Sequence, residues 1–255
     1  MGGFNSTPGF FVIAHRGASF SAPENTMPAF NKAIEMKADM IELDVLPTRD
    51  NIPIVLHDEK LNRTTTGEGP VAGTLFRELQ ELDAGSWFDP SFKNTKIPSL
   101  ETVLKWAKNK IALNIEIKGN GRRSGESDLE SQIIEMIDHY DMRDHVVISS
   151  FRCNAIRQVK KSSPTTSTAL LNWKYSYGTR RVYLFMRYCK ADGLNILARQ
   201  MKDPLMNLLK KNHVPVWIYT VNNEQDMRIA IRKGATGIIT DRPDLLRRVT
   251  LDEIN

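Results

Sequence analysis

Short apolar runs alternate along this chain with stretches whose apolar residues return every three or four positions. The runs lie at 10–14, 40–45, 111–117, 146–150, 168–171, 191–196, 214–221 and 236–240, and they read as buried strands. Amphipathic patterns fill most of the gaps, at 26–36, 129–140, 154–161, 179–189, 204–212 and 223–233. Eight strands separated by helices in 255 residues predict an α/β fold, a (β/α)8 TIM barrel, with an open doubly wound sheet as the alternative.

A further strand-like run at 52–57 follows the second strand too closely for a parallel crossover, so it must return antiparallel as a hairpin. With Asp50-Asn51 as a two-residue turn, Arg49 faces Ile52 and Asp44 faces His57. Directly opposite residues project to one side, so this register brings His57 beside Asp44. From 58 to 96 the chain fits no barrel unit, with a polar turn at 64–69, a short helical pattern at 74–82 and the run Trp87-Phe88-Asp89-Pro90. It reads as an insertion over the C-terminal mouth of a single domain spanning 1–255. Ser99 is expected to cap a helix at 100–109, and Asn25 or Thr26 to cap the first helix, with Pro28 in its first turn.

Three stretches carry charge where a buried strand should carry none. In Asp39-Met40-Ile41-Glu42-Leu43-Asp44-Val45, Glu42 and Asp44 share one strand face and Ile41, Leu43 and Val45 the other. In the run 111–117 and the residue after it, Asn114, Glu116 and Lys118 share a face. His15 and Arg16 end the first run. Carboxylates packed together repel and are costly to bury unless a cation sits between them. Glu42, Asp44 and Glu116 offer oxygen and no thiolate, which suits one hard divalent cation, Mg2+ or Ca2+. An ordinary ion pair with Arg or Lys accounts for any one of them alone, but not for three beside two histidines. His15 and His57 fit a paired general acid and base. Arg16 and Lys118 beside a metal point to an anionic substrate, phosphate above all. The chemistry read from the residues is metal-assisted phosphoester cleavage.

Composition narrows the setting. No run approaches the roughly 18 apolar residues of a membrane helix, and the start of the chain lacks a secretory pattern, so a soluble, cytoplasmic protein is expected. Cys153 and Cys189 have no paired spacing; they are read as packing residues in a reducing compartment. The net charge of +5 is modest, and the doublets Lys160-Lys161, Arg180-Arg181, Lys210-Lys211 and Arg247-Arg248 read as solvated surface. They are too dispersed for a nucleic-acid track. The segment 172–188 is aromatic and basic without a clear amphipathic period, so exposed packing is favoured there over contact with lipid or a head group. Trp217 shares a strand face with Tyr219 and walls the alcohol side of the substrate or fills the barrel core. Asp241 is expected to start the last helix or brace a loop rather than bind metal. A homodimer is left open, since nothing marks an interface.

At these residues the sequence resembles the glycerophosphodiester phosphodiesterases. The matching stretches are IAHRGAS with APENTMPAF, ADMIELDVLPTRDNIPIVLHDEKLNRTTTGEG, LDAGSWF, IPSLETVL, LNIEIKG, VWIYTVN and GIITDRPD. The resemblance implies a TIM barrel with a small insertion, metal on Glu42, Asp44 and Glu116, acid–base work by His15 and His57, and phosphate contacts from Arg16 and Lys118. It implies hydrolysis of a glycerophosphodiester to sn-glycerol 3-phosphate and an alcohol. Water and the substrate's own 2-hydroxyl remain open as the attacking group. The rival readings are a phospholipase-type barrel, like phosphatidylinositol phospholipase C or sphingomyelinase D, and a non-catalytic barrel that binds a phosphate ligand.

Overall fold

The computed structural model describes residues 9–118, 129–172 and 178–254. Eight parallel strands close a barrel in the order β1 (Phe11–His15), β2 (Met40–Pro47), β4 (Ala112–Ile117), β5 (Val146–Ser150), β6 (Ser167–Asn172), β7 (Gly193–Leu197), β8 (Val216–Tyr219) and β9 (Gly237–Thr240). β9 pairs back onto β1, and β1 pairs with β2 through Ile13↔Met40 and His15↔Glu42. That last ladder closes the sheet and removes the open-sheet alternative. Outside lie α1 (Met27–Glu35), α3 (Leu100–Ala107), α4 (Leu129–His139), α5 (Cys153–Ser162), α6 (Thr179–Tyr188), α7 (Asp203–Lys211), α8 (Glu224–Arg232) and α9 (Pro243–Ile254).

Strand alternation builds two apolar layers. Ile41, Leu43 and Val45 point outward and pack with Phe30, Leu100, Val103 and Leu104 of α1 and α3. Met40 points inward and packs with Phe11, Ile13, Ala112, Val147, Ala169, Trp217 and Ile239. This plug fills the barrel, as side chains do in barrels of eight strands. Glu42 and Asp44 follow Met40 on the same inner face, so they rise above the plug towards the C-terminal ends of the strands. The plug is also where Trp217 sits, fully buried and 5.9 Å from the Phe11 ring.

Capping follows expectation in part. The Ser99 hydroxyl accepts from the Thr102 amide at 3.1 Å and starts α3. Thr26 occupies the cap position of α1, but its hydroxyl donates to the Pro23 carbonyl instead. Asn25, in the left-handed region at φ 58°, turns away from the helix altogether.

The hairpin forms with a register one residue from the predicted one. β3 (Pro53–Val55) pairs with β2 as Val45↔Val55, Leu46↔Ile54 and Pro47↔Pro53. Thr48 donates its amide to Ile52, and the Asn51 amide closes a turn on the Thr48 carbonyl with Asn51 at φ 59°. The loop is therefore three residues, 49–51, with its last residue left-handed, a common hairpin alternative to the two-residue turn. Asp44 consequently lies opposite Leu56, whose amide donates to its carbonyl at 3.0 Å. A slip of one residue would send His57 to the wrong face if the ladder continued, but β3 ends at Val55 and the chain bends at His57.

Beyond the bend, residues 58–96 contribute no barrel strand; their regular structure is α2 (Phe76–Leu79) and two short 3-10 turns. Leu61, Val71, Leu79 and Ala84 form a small core with Leu46, Ile54 and Leu56 of the hairpin.

Cys153 and Cys189 form a disulfide, with Cα atoms 5.0 Å apart. This corrects their reading as unpaired packing residues. A separation of 36 positions in sequence gave no local signal; only the packing of the end of α6 against the start of α5 brings the two together.

Candidate active site

His15 and Arg16 end β1 in a tight turn. Arg16 takes the left-handed conformation at φ 55° and Gly17 follows at φ 84°. A side chain at Gly17 would also lie 2.7 Å from Ala29, so only glycine fits there. The turn aims the Arg16 amide at Glu42, whose Oε2 accepts at 3.0 Å. Parallel pairing places Glu42 beside His15 and Asp44 beside Glu116. His15, Arg16, Glu42, His57, Glu116 and Lys118 line one cavity of about 270 Å3, and Asp44 lies buried behind it.

The electrostatics are those of a crowded acidic centre. Single oxygens of Glu42, Asp44 and Glu116 all lie within 4.8 Å of one another. Burial, then repulsion from Asp44 and Glu116, pushes the Glu42 carboxyl well above its usual range. Burial and Asp44 push Glu116 up to about 7. Burial would also raise Asp44, but Lys118 and Arg16 outweigh it and hold that carboxyl below its ordinary value. Lys118 Nζ stands 3.3 Å from Asp44 and 3.0 Å from Glu116, and Arg16 Nε 3.3 Å from Asp44. Three buried carboxylates, two of them straining to hold protons, form an all-oxygen set that a divalent cation would relieve. The residues therefore fit a hard metal ion.

Each histidine has its own carboxylate. His15 Nδ1 lies 2.6 Å from Asp241 Oδ1, and His57 Nδ1 lies 2.5 Å from Asp58 Oδ1. With Nδ1 donating, Nε2 is the nitrogen left for proton transfer on both rings. Burial lowers the His57 pKa, and Arg16 and Lys118 add to that against the pull of Asp44 and Asp58. Arg63 first, then His57, brings Asp58 down to about 2. Arg63 also donates to Glu24 at 2.7 Å, and Glu24 accepts from Arg16 at 2.7 Å. Arg63 of the 58–96 segment is thereby wired to both His57 and Arg16.

The seven predicted residues His15, Arg16, Glu42, Asp44, His57, Glu116 and Lys118 meet at one mouth. Trp217 does not join them: it belongs to the plug, and Tyr219 takes the wall, with Phe151, Leu171, Leu197 and Thr220. Burial raises the Tyr219 phenol above its usual value. Asn25, expected as a helix cap, donates instead to Asp44 Oδ2 at 2.9 Å. Asp241, expected at a helix start or as a loop brace, does brace Asn222 and Ser19 but holds His15 as well. Asp58, adjacent to His57 in sequence, was the one such partner with a local signal. Trp173, Tyr175 and Tyr177 of the aromatic segment lie outside the described residues.

Comparison with known proteins agrees with this geometry. Residues 15–245 match the glycerophosphoryl diester phosphodiesterase family. A glycerophosphodiester phosphodiesterase of Caldanaerobacter subterraneus is 39% identical over 237 residues, covering 92% of this chain and 95% of the relative. A crystal structure of an Agrobacterium tumefaciens glycerophosphodiester phosphodiesterase superimposes with a TM-score of 0.82 at 28% identity, covering 94% of this chain and 99% of that one. An Oleispira antarctica phosphodiesterase, solved in complex with its product sn-glycerol-3-phosphate, gives a TM-score of 0.82 at 26% identity over 94% of this chain and 96% of its own.

Proposed function

The chain belongs to the glycerophosphoryl diester phosphodiesterase family, a family of phosphoric diester hydrolases, and from that premise we propose that it adds water across a glycerophosphodiester to release sn-glycerol 3-phosphate and a free alcohol. The observation that carries this reading is the meeting of two carboxylate-bound histidines, three buried carboxylates and two cations on one cavity. Glu42, Asp44 and Glu116 would hold one divalent cation, Mg2+ or Ca2+, which when bound supplies positive charge to the phosphate oxygens. Arg16 and Lys118 orient and neutralise the phosphate from the protein's side.

The acid and base differ in their surroundings. Burial, with Arg16 and Lys118 beside it, lowers the His57 pKa, which suits that ring to take the proton of the attacking oxygen. His15, with its Nδ1 on Asp241, gives a proton to the departing alkoxide oxygen. Tyr219 walls the alcohol side, and the insertion at 58–96 shapes the rim through Arg63.

Release of glycerol 3-phosphate from glycerophosphocholine and glycerophosphoglycerol, with EDTA, Mg2+ or Ca2+, tests the proposal. Metal-dependent release is expected, and the more active metal names the ion. Silence on both substrates with both metals, beside turnover of a lysophospholipid, would overturn it in favour of a lipid diester.

A further inference from the structure

Positive charge that is scattered along the sequence is gathered by the fold onto one sector of the barrel. From Cys153 to Lys211, the span of α5, α6 and α7, there are twelve Lys and Arg, of which Lys174 lies outside the described residues, against two Asp, a balance of +10. The whole chain carries +5, so the remainder is −5. Both acids of the span are engaged, Asp192 with Lys160 at 2.6 Å and Asp203 with Lys233 at 2.5 Å. The three helices form one surface. The disulfide and Arg157, which donates to the Tyr188 carbonyl at 2.9 Å, tie α5 to α6; the Tyr183 hydroxyl reaches Asn212 just past α7.

At the centre of this surface α6 presents apolar groups to solvent. It buries Val182 and Met186, yet Leu184, Phe185 and Tyr188 are 62%, 46% and 64% exposed. The Phe185 and Tyr188 rings stack at 6.5 Å. Around them Arg180, Arg181, Arg187 and Lys190 are exposed, and among the described residues none faces a carboxylate at ion-pair distance. Exposed aromatic and aliphatic groups ringed by unpaired cations match a partner with an apolar interior and an anionic surface. A duplex nucleic acid offers phosphates but no apolar phase for Leu184 and Phe185. A second copy of the chain, docked about a two-fold axis, would set this charge against itself.

We propose that the α5–α7 sector docks the protein on a bilayer rich in anionic lipid, with Leu184, Phe185 and Tyr188 entering the interface and the surrounding Arg and Lys meeting the head groups. The test is co-sedimentation of the full chain with vesicles of phosphatidylcholine alone or mixed with phosphatidylglycerol, with a DNA duplex as competitor. Binding to the mixed vesicles only is expected, weakening as salt rises. Leu184→Asp with Phe185→Asp, and separately Arg180→Glu, Arg181→Glu and Arg187→Glu together, should each weaken it by about tenfold or more. An unchanged melting midpoint by circular dichroism shows that either variant is folded, and binding is read without reference to turnover. Equal binding to neutral vesicles, no binding to anionic vesicles at low salt, indifference to both variants, or DNA displacing the vesicles completely would each overturn the proposal.

Discussion

Between Phe11 and Lys118 the inner face of the barrel offers His15, Arg16, Glu42, Asp44, His57, Glu116 and Lys118, whereas between Val146 and Thr240 the cavity wall is Ser149, Phe151, Leu171, Leu197, Tyr219, Thr220 and Ile239. Outside, the contrast reverses, since the span of α5 to α7 is strongly basic and the rest of the chain is net acidic. Strand spacing explains the inner contrast. Carboxylates must come within a few ångströms of one another to share a cation, and only neighbouring strands, about 4.8 Å apart, deliver that. β1, β2 and β4 are such neighbours. The strands across the barrel are too far away to join them, so they are free to shape a wall and present helices outward. The early strands should thus govern chemistry and the late ones fit, stability and docking.

The largest effects should fall on the early side. His15→Ala or His57→Ala is expected to lower turnover by about 10²- to 10⁴-fold while calorimetric titration finds cation affinity nearly unchanged, because neither ring belongs to the carboxylate set. A variant that kept near-normal turnover would remove that histidine from proton transfer. On the late side, Cys153→Ser should cost about 2–4 kcal/mol of folding stability by reopening the loop that the disulfide closes, with turnover intact. Denaturant unfolding with and without reductant measures it. A fall in turnover at full stability would break the division between halves.

Asp241 is the exception that sharpens the comparison, a late residue that works for an early one. Asp241→Asn should lower kcat roughly tenfold by loosening the His15 tautomer, with KM little changed and the pH–rate profile shifted. An equal rise in KM would mean that Asp241 only braces the loop around Asn222.

How far the site was legible follows the same divide. A charge at the end of an apolar strand violates burial, so all seven early residues could be found without a fold. Partners were harder, because Asn25, Glu24 and Asp241 act through loops whose meeting is a tertiary fact; Asn25 reads locally as a helix cap and in space holds Asp44. Strand alternation gives the face of a residue but not its depth. Trp217 and Tyr219 share a face, yet two residues of rise, about 6.6 Å, separate plug from wall. His57 was expected at the site through a hairpin register that is off by one residue, and it arrives because β3 ends early. The basic sector was visible only as scattered doublets until the barrel set α5, α6 and α7 side by side.

Removing the cation should expose the strain in the early half. Without it, burial and Asp44 hold the Glu116 carboxyl up to about 7, above its ordinary 4.5. A group whose folded pKa is raised contributes stability that is present below its unfolded pKa and is lost as pH rises through the folded one. The cation-free protein should therefore lose this contribution between about pH 4.5 and 7, while the cation takes the ionised form and compensates. Apparent cation affinity should rise with pH through this range as Glu116 ionises, by about tenfold per pH unit for one proton released. The difference in Tm between Mg2+ and EDTA, followed across that range, reads it. Glu116→Gln should weaken the cation and flatten the slope; a slope unchanged in that variant would assign the proton to Glu42.

The smallest effect belongs to the wall. The Tyr219 hydroxyl donates to the Asn172 carbonyl at 3.0 Å, tying the top of β8 to the last residue of β6, and its ring meets Phe151 edge-on at 6.3 Å. Tyr219→Phe keeps the ring and deletes that bond, at a cost of about 0.5–1.5 kcal/mol, so kcat/KM should fall only a few-fold. Because burial keeps the phenol neutral, the loss should not depend on pH. It should also differ between glycerophosphocholine and glycerophosphoglycerol, since a wall on the alcohol side senses the head group. Trp217→Phe, one layer lower in the plug, should lower Tm and leave that preference alone. If the preference moved with Trp217 and not with Tyr219, the wall would lie deeper than the cavity places it, and the late strands would reach further into the chemistry than their residues suggest.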